Sequence, residues 1–309
     1  MSIGHPSPFA FFSSPLDRRT DKRGDPAFIA AALADPKTRI VVFSNGECLL
    51  ESPDDWRLRL LRSAELEAAG IALRPPVFLG TDADAAWFAV DVAANQRGLI
   101  DGAHFAEIWR DVARLPADEA AIFAYAKAML EWHARHRYCG RSGVENTIAS
   151  AGHRLLGSDE HAQFPRVDPA IIVLVHRGER CLLARKAGWP EGRYATIAGF
   201  VEPGESLEAA VQREVKEETD IDIEDVEYMA SQPWPFPSSL MVGFHASARS
   251  EAICLTDQEL ADARWFSREQ IAAGEVRIPP STSISFYLIE QWFNQAGGPP
   301  LREVAASWG

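Results

Sequence analysis

Over residues 39–50, RIVVFSNGECLL, two apolar runs flank an Asn45-Gly46 pair, the pattern of a β-hairpin closed by a tight turn. Further short strands are predicted over 76–79 and 86–92, and helices over 104–112 and 118–136. In the second helix Ile122, Phe123, Ala126, Met129 and Leu130 recur at helical spacing. Residues 1–137 therefore read as a small α+β domain. A polar connector, 138–165, follows. From residue 166 the apolar runs resume: strands over 170–175 and 181–184 about an Arg177-Gly178-Glu179 turn, then 196–198, 226–230 and 240–246, and a last helix over 283–295. Strands before and after an internal helix, with a helix at the end, predict an α/β domain over 166–309, a mixed sheet sandwiched between helices. No internal repeat or long low-complexity tract is visible.

The internal helix is the unusual element. Ser206 is a good N-cap, with Glu208 beside the positive end of the helix dipole. At about 100° per residue, Leu207, Ala210, Val211 and Val215 define a core-facing side. Glu214, Glu217 and Glu218 share that side, whereas Gln212, Lys216 and Thr219 take the opposite face. An ordinary charged surface helix is one reading. The other is a metal site, because three like charges so placed repel one another and are costly to desolvate unless a divalent cation sits among them.

Gly199, Glu205 and the run Arg213-Glu214-Val215-Lys216-Glu217-Glu218-Thr219-Asp220-Ile221 have the spacing of a known signature. The segment resembles the Nudix box, a loop and helix that bind magnesium or manganese and hydrolyse diphosphates linked to another group. The resemblance implies that Glu214, Glu217 and Glu218 hold the metal together with the Ala198 carbonyl. Glu218 would also orient or deprotonate the attacking water, while Arg213 pairs with Glu205 and locks the carboxylates in place. Glu259 matches a further acidic position near substrate and metal. One position departs: Asp220 stands where the family has glycine, and Asp is among the few residues that tolerate the left-handed conformation expected at a helix end.

Ten residues on, Ser231-Gln232-Pro233-Trp234-Pro235-Phe236-Pro237-Ser238-Ser239 alternates prolines with aromatics. Proline has no ladder donor, so the segment cannot be a central strand and is expected to be a stiff loop presenting a glutamine and aromatic faces. A structural bend packing Trp234 and Phe236 into the core is the alternative. Beside the box, the segment resembles the SQPWPFPxS signature of NADH pyrophosphatases, a branch of the Nudix hydrolases. That resemblance implies hydrolysis of NADH, and less readily NAD+, to AMP and nicotinamide mononucleotide. Gln232, Pro233, Trp234, Pro235, Phe236, Pro237, Ser238 and Ser239 would bind the dinucleotide. Phe164 and Phe200 would offer faces to its rings, and Ser285 would contact substrate across a homodimer that the N-terminal domain helps to form. NAD-capped RNA, ADP-ribose or another nucleoside diphosphate derivative remain alternative substrates, and a non-catalytic nucleotide sensor an alternative class.

Composition narrows the setting. With 309 residues, 47% of them hydrophobic, there is enough apolar surface for two cores. No apolar run approaches the ~20 residues of a membrane span, and the first residues lack a secretory pattern. Cys48, Cys139, Cys181 and Cys254 are isolated, which suits a reducing, cytoplasmic compartment. A net charge of −13 argues against a broad polyanion-binding surface. It also makes a cation necessary if glutamates are to meet a diphosphate; Arg185, Lys186 and Arg193 are either basic helpers or, as most such residues are, solvated charges. In many relatives the connector is a zinc ribbon. Here Cys139 stands alone, Ser142 replaces its partner, and His153, Asp159 and His161 are poor substitutes, so no structural zinc is expected.

Overall fold

The computed structural model describes residues 9–12, 14–71, 75–109, 111–158, 160–255 and 259–307. The chain forms two compact units: Ser13–Val167 together with Trp234–Ser238, and Asp168–Pro233 with Ser239–Gly309 and Met1–Phe12.

In the N-terminal unit the hairpin joins β1 (Arg39–Ser44) to β2 (Glu47–Leu50). Asn45 and Gly46 both have positive φ, 52° and 80°, as the favoured two-residue hairpin turn requires. The sheet is completed by β3 (Leu60–Leu61), β4 (Val77–Thr81), β5 (Ala86–Asp91) and β6 (His104–Ala106), and the helices are α1 (Pro26–Ala34), α2 (Ser63–Ala68) and α3 (Ala117–Arg135). Ile40, Val42, Leu49, Phe78 and Phe88 form its core, and Phe43 stacks on Phe123 of α3 at 5.5 Å.

The expected helix over 104–112 is not there. His104–Ala106 pairs with β2, and among the described residues that follow a single 3-10 turn, Val112–Arg114, precedes α3. An open sheet edge competes successfully for so short a segment, and Pro116 restricts the residue before it to extended backbone. Helices α1 and α2 escaped the sequence pattern because α1, which packs Phe28, Ile29, Ala32 and Leu33 on the core, is apolar nearly all round, and α2 buries Leu66 alone. The connector is likewise more ordered than its polarity suggests, forming a three-stranded sheet of β7 (Thr147–Ala149), β8 (Arg154–Leu156) and β9 (Ala162–Gln163). Gly152 lies so close to β4 that a Cβ would come 2.9 Å from a Val77 methyl.

The C-terminal unit holds a mixed sheet of β10 (Asp168–Arg177), β11 (Arg180–Lys186), β12 (Ile197–Phe200), β13 (Ile223–Trp234), β14 (Ser239–Ala248) and β15 (Leu260–Ser267). Its helices are α4 (Leu207–Thr219), α5 (Arg268–Ala272), α6 (Ile284–Asn294) and α7 (Leu301–Val304). The strand order is β13-β14-β10-β11-β15, with β12 paired to β10. Alternation along β10 builds two cores. Ile171, Val173 and Val175 join Val211 and Val215 of α4, while Ile172 and Leu174 join Ile284, Leu288 and Trp292 of α6. This is the expected sheet between helices. No helix among the described residues is long and apolar enough to cross a membrane.

The two sheets repeat one set of connections. β1 pairs antiparallel with β2 and β3 and parallel with β5. β10 does the same with β11, β12 and β14. No repeat is visible in the sequence, because hydrophobic patterning preserves a topology without preserving residue identity.

Candidate active site

Helix α4 starts as expected, with the Ser206 hydroxyl accepting from the Ala209 amide at 3.2 Å. It ends at Asp220, whose φ of 58° is left-handed and whose carboxylate pairs with Lys216 at 2.8 Å. Aspartate thus does the work of the family's glycine. Ala210, Val211 and Val215 are fully buried, and Glu218 beside them is only 3% exposed. The side chain of Glu214 is 14% exposed and that of Glu217 57% exposed, so the carboxylates run from the core to the rim. Thr219 departs from the helical-face expectation. It is buried, and its hydroxyl donates to the Val215 carbonyl at 2.6 Å, which spares it the cost of an unpaired polar group.

Arg213 organises the cluster. Its Nε and Nη2 bond Glu205 at 3.1 and 2.6 Å, Nη2 also donates to the Phe200 carbonyl at 2.9 Å, and Nη1 bridges Glu214 at 2.9 Å and Glu217 at 3.0 Å. All the guanidinium donors are used. Glu205 in turn accepts from the Glu202 amide at 2.7 Å, closing the loop before the helix. Gly199 has a steric reason: a Cβ there would lie 1.9–2.2 Å from the Glu214 carboxylate. Strand β12 can therefore carry Ala198 and Gly199 directly under α4 only without a side chain at 199.

The electrostatics follow. Burial pushes the Glu214 carboxyl up, Arg213 pulls it down, and Glu217 and Glu259 push it up again. Glu259 thus belongs to this cluster; its backbone carbonyl also accepts from Ala187 at 3.0 Å. Arg213 holds the Glu205 carboxyl below its ordinary range, and Arg213 itself is raised chiefly by its bond to Glu205. Among the described residues no three His, Cys, Asp or Glu side chains converge closely enough to cage an ion. Carboxylate and carbonyl oxygens are nevertheless the donors that magnesium and manganese take, and the burial and mutual repulsion at Glu214 are what a cation relieves. The residues fit a divalent ion in kind, and Glu217 stands at the rim, where Arg213 Nη1 bonds it at 3.0 Å. A surface groove of about 810 Å³ on the back of α4, lined by Gln212, Lys216 and Arg249, touches none of the three glutamates.

The second motif is placed differently from expectation. Ser231, Gln232, Pro233 and Trp234 end β13, an edge strand, where missing proline donors are tolerated. Gln232 is 1% exposed, and its amide serves the fold: Nε2 donates to the Ala10 and Thr282 carbonyls, and Oε1 accepts from the Ile284 amide, each at 2.9 Å. Pro235 is buried, Trp234 and Phe236 are half-buried and meet edge to face at 5.2 Å, Pro237 and Ser238 complete the turn, and Ser239 opens β14. Ser285 is also buried, its hydroxyl 2.7 Å from that of Thr196. Phe164 and Phe200, by contrast, expose 65% and 61% of their surface, as stacking platforms would.

In the connector Cys139 is buried within a turn closed by Val144. His153 donates to the Phe78 carbonyl at 2.7 Å, and burial lowers its pKa to about 4. Asp159 lies outside the described residues.

A family model described as a NUDIX domain matches residues 166–285, and one described as an NADH pyrophosphatase-like rudimentary NUDIX domain matches residues 37–132. The chain is 31% identical over 335 residues to the NAD-capped RNA hydrolase NUDT12 of Homo sapiens, covering 91% of this chain and 72% of that protein. It is 42% identical over 199 residues to the NAD-capped RNA hydrolase NudC of Mycobacterium bovis, covering 59% of this chain and 64% of the relative's length. A Nudix hydrolase structure from Nitrosomonas europaea covers 53% of this chain and 94% of its own, at 19% identity and a TM-score of 0.44.

Proposed function

Because this chain belongs to the Nudix hydrolase family, we propose that it hydrolyses the diphosphate of NADH, and less readily of NAD+, to AMP and the mononucleotide. The observation that carries this reading is the arrangement on α4, where Glu218 is buried and Glu214 lies against Gly199. Glu214, Glu217, Glu218 and the Ala198 carbonyl would hold magnesium or manganese, with Glu259 beside them. When bound, the ion supplies charge neutralisation on the diphosphate and a lowered pKa for water. Glu218 orients the water and takes its proton, and Arg213 keeps Glu214 and Glu205 in register. Phe164 and Phe200 are the proposed ring platforms. Gln232 supports the signature segment from below rather than touching substrate.

The names of the two relatives support NAD-capped RNA as a further substrate. On the same reading the chain works as a cytoplasmic homodimer without structural zinc, the last supported by the commitment of His153 to a backbone carbonyl. Chromatographic product analysis with magnesium or manganese over NADH, NAD+, ADP-ribose and NAD-capped RNA tests the proposal. AMP and reduced nicotinamide mononucleotide from NADH, at the highest kcat/KM of the small substrates, are expected. A tenfold preference for ADP-ribose would overturn the substrate assignment.

A further inference from the structure

The segment Trp234–Ser238 belongs to the N-terminal compact unit, although Pro233 and Ser239 on either side belong to the C-terminal one. Trp109 and Lys127 of the N-terminal unit lie against it. The Trp109 ring lies 6.4 Å from that of Phe236, and Lys127 of α3 places its ammonium 5.7 Å over the same ring. Both separations lie within the range of attractive aromatic and cation–π contact. Lys127 is itself fixed, donating to the Gly46 carbonyl at 3.2 Å in the β1–β2 turn, where a Cβ on Gly46 would come 3.3 Å from Nζ. Phe236 is further braced by Trp234. The tip of the signature is therefore seated by a hairpin turn, a helix and an aromatic ring of the N-terminal unit, and Gln232 anchors its other end.

We propose that Trp109 and Lys127 are positioning residues for the signature segment, through which the N-terminal unit sets the selectivity of diphosphate hydrolysis. The proposal rests on the functional reading above. It gives the rudimentary unit a role that needs no carboxylates of its own. Neither residue touches the reacting atoms; each acts by fixing Phe236, so its loss should spread the segment's conformations and weaken discrimination before it slows chemistry.

Trp109→Ala, Lys127→Met and the double variant would be made in the full chain, with Trp109→Phe as the conservative variant and Arg135→Gln, on the exposed part of α3, as control. Kinetics on NADH and ADP-ribose would be read beside hydrogen exchange over residues 234–238. The NADH to ADP-ribose ratio of kcat/KM should fall about fivefold in each single variant and about tenfold in the double, with KM for NADH moving more than kcat. Exchange over 234–238 should rise, and Trp109→Phe and Arg135→Gln should leave both measures near the parent's. An equal fall on both substrates with a lower Tm, or an unchanged ratio with unchanged exchange, overturns the proposal. Should the parent hydrolyse neither substrate, the functional reading fails, and the exchange measurement alone still decides whether Trp109 and Lys127 fix the segment.

Discussion

In the N-terminal sheet β3 has two residues and runs straight into the six-residue α2, while in the C-terminal sheet a loop after β12 leads into the thirteen-residue α4. The two helices occupy the same place in one repeated topology. Helix α2 buries only Leu66, and its Glu65 is used as a cap, accepting from the Arg62 amide at 2.8 Å. Helix α4 buries Glu218 and carries two further carboxylates, Glu214 and Glu217, from there out to the rim. On the proposed reading the shared scaffold carries chemistry where the helix is long enough to present acids and where Gly199 lets the strand beneath approach Glu214.

The sharpest way to break this contrast is to neutralise one acid in each helix. Glu218→Gln should lower turnover by roughly 10²–10⁴-fold with the fold intact, because the buried group proposed to move the water's proton is lost. Glu67→Gln, on the exposed side of α2, should leave turnover within about twofold. Steady-state kinetics with circular dichroism as a fold check decides the matter, and near-normal turnover in folded Glu218→Gln would sink the assignment.

Gly199→Ala should cost roughly 10-fold or more in turnover with little change in Tm, because the new methyl displaces the tip of Glu214 rather than backbone. Its counterpart is Gly98→Ala, where a Cβ meets nothing within 4 Å, and it should do neither. Gln232→Ala strips three hydrogen bonds, one buried and two part-buried, and should destabilise the C-terminal unit by about 2–4 kcal/mol, measured by denaturant unfolding. An unchanged midpoint with altered substrate preference would return that amide to the ligand.

The smallest effect concerns acid. His153 has a folded pKa of about 4, below the 6.5 of an exposed imidazole, because it is buried. Between those values the unfolded chain binds more protons, so stability rises with pH there. The contribution is complete above pH 6.5 and lost as the pH falls toward 4, up to about 3 kcal/mol in all. His153→Gln should flatten that limb of the stability profile; an unchanged limb would mean that other groups carry it.

Much of this was legible in the sequence, and the gaps have physical causes. The C-terminal strands and the face of α4 follow from periodicity, because burial on both sides of β10 leaves an unbroken apolar run. The Asn45-Gly46 turn follows from positive φ alone. Helix α1 was missed because PAFIAAALA is apolar nearly all round and shows no helical period, β6 because an edge strand of three residues carries none either, and the repeat because it exists in connections rather than residues. The box was readable since metal chemistry constrains spacing. The role of Gln232 was not, since its partners Ala10, Thr282 and Ile284 are brought to it only by the folded chain.

The central claim is that water attacks a phosphorus of the dinucleotide diphosphate, assisted by the α4 carboxylates. Hydrolysis of NADH in 18O-labelled water, followed by mass spectrometry of the products, tests it most directly. One 18O in the phosphate of either AMP or reduced nicotinamide mononucleotide, formed in equal amounts and only with a divalent ion present, is the expected result. Release of free nicotinamide, or label in a ribose hydroxyl with the diphosphate intact, would contradict the account.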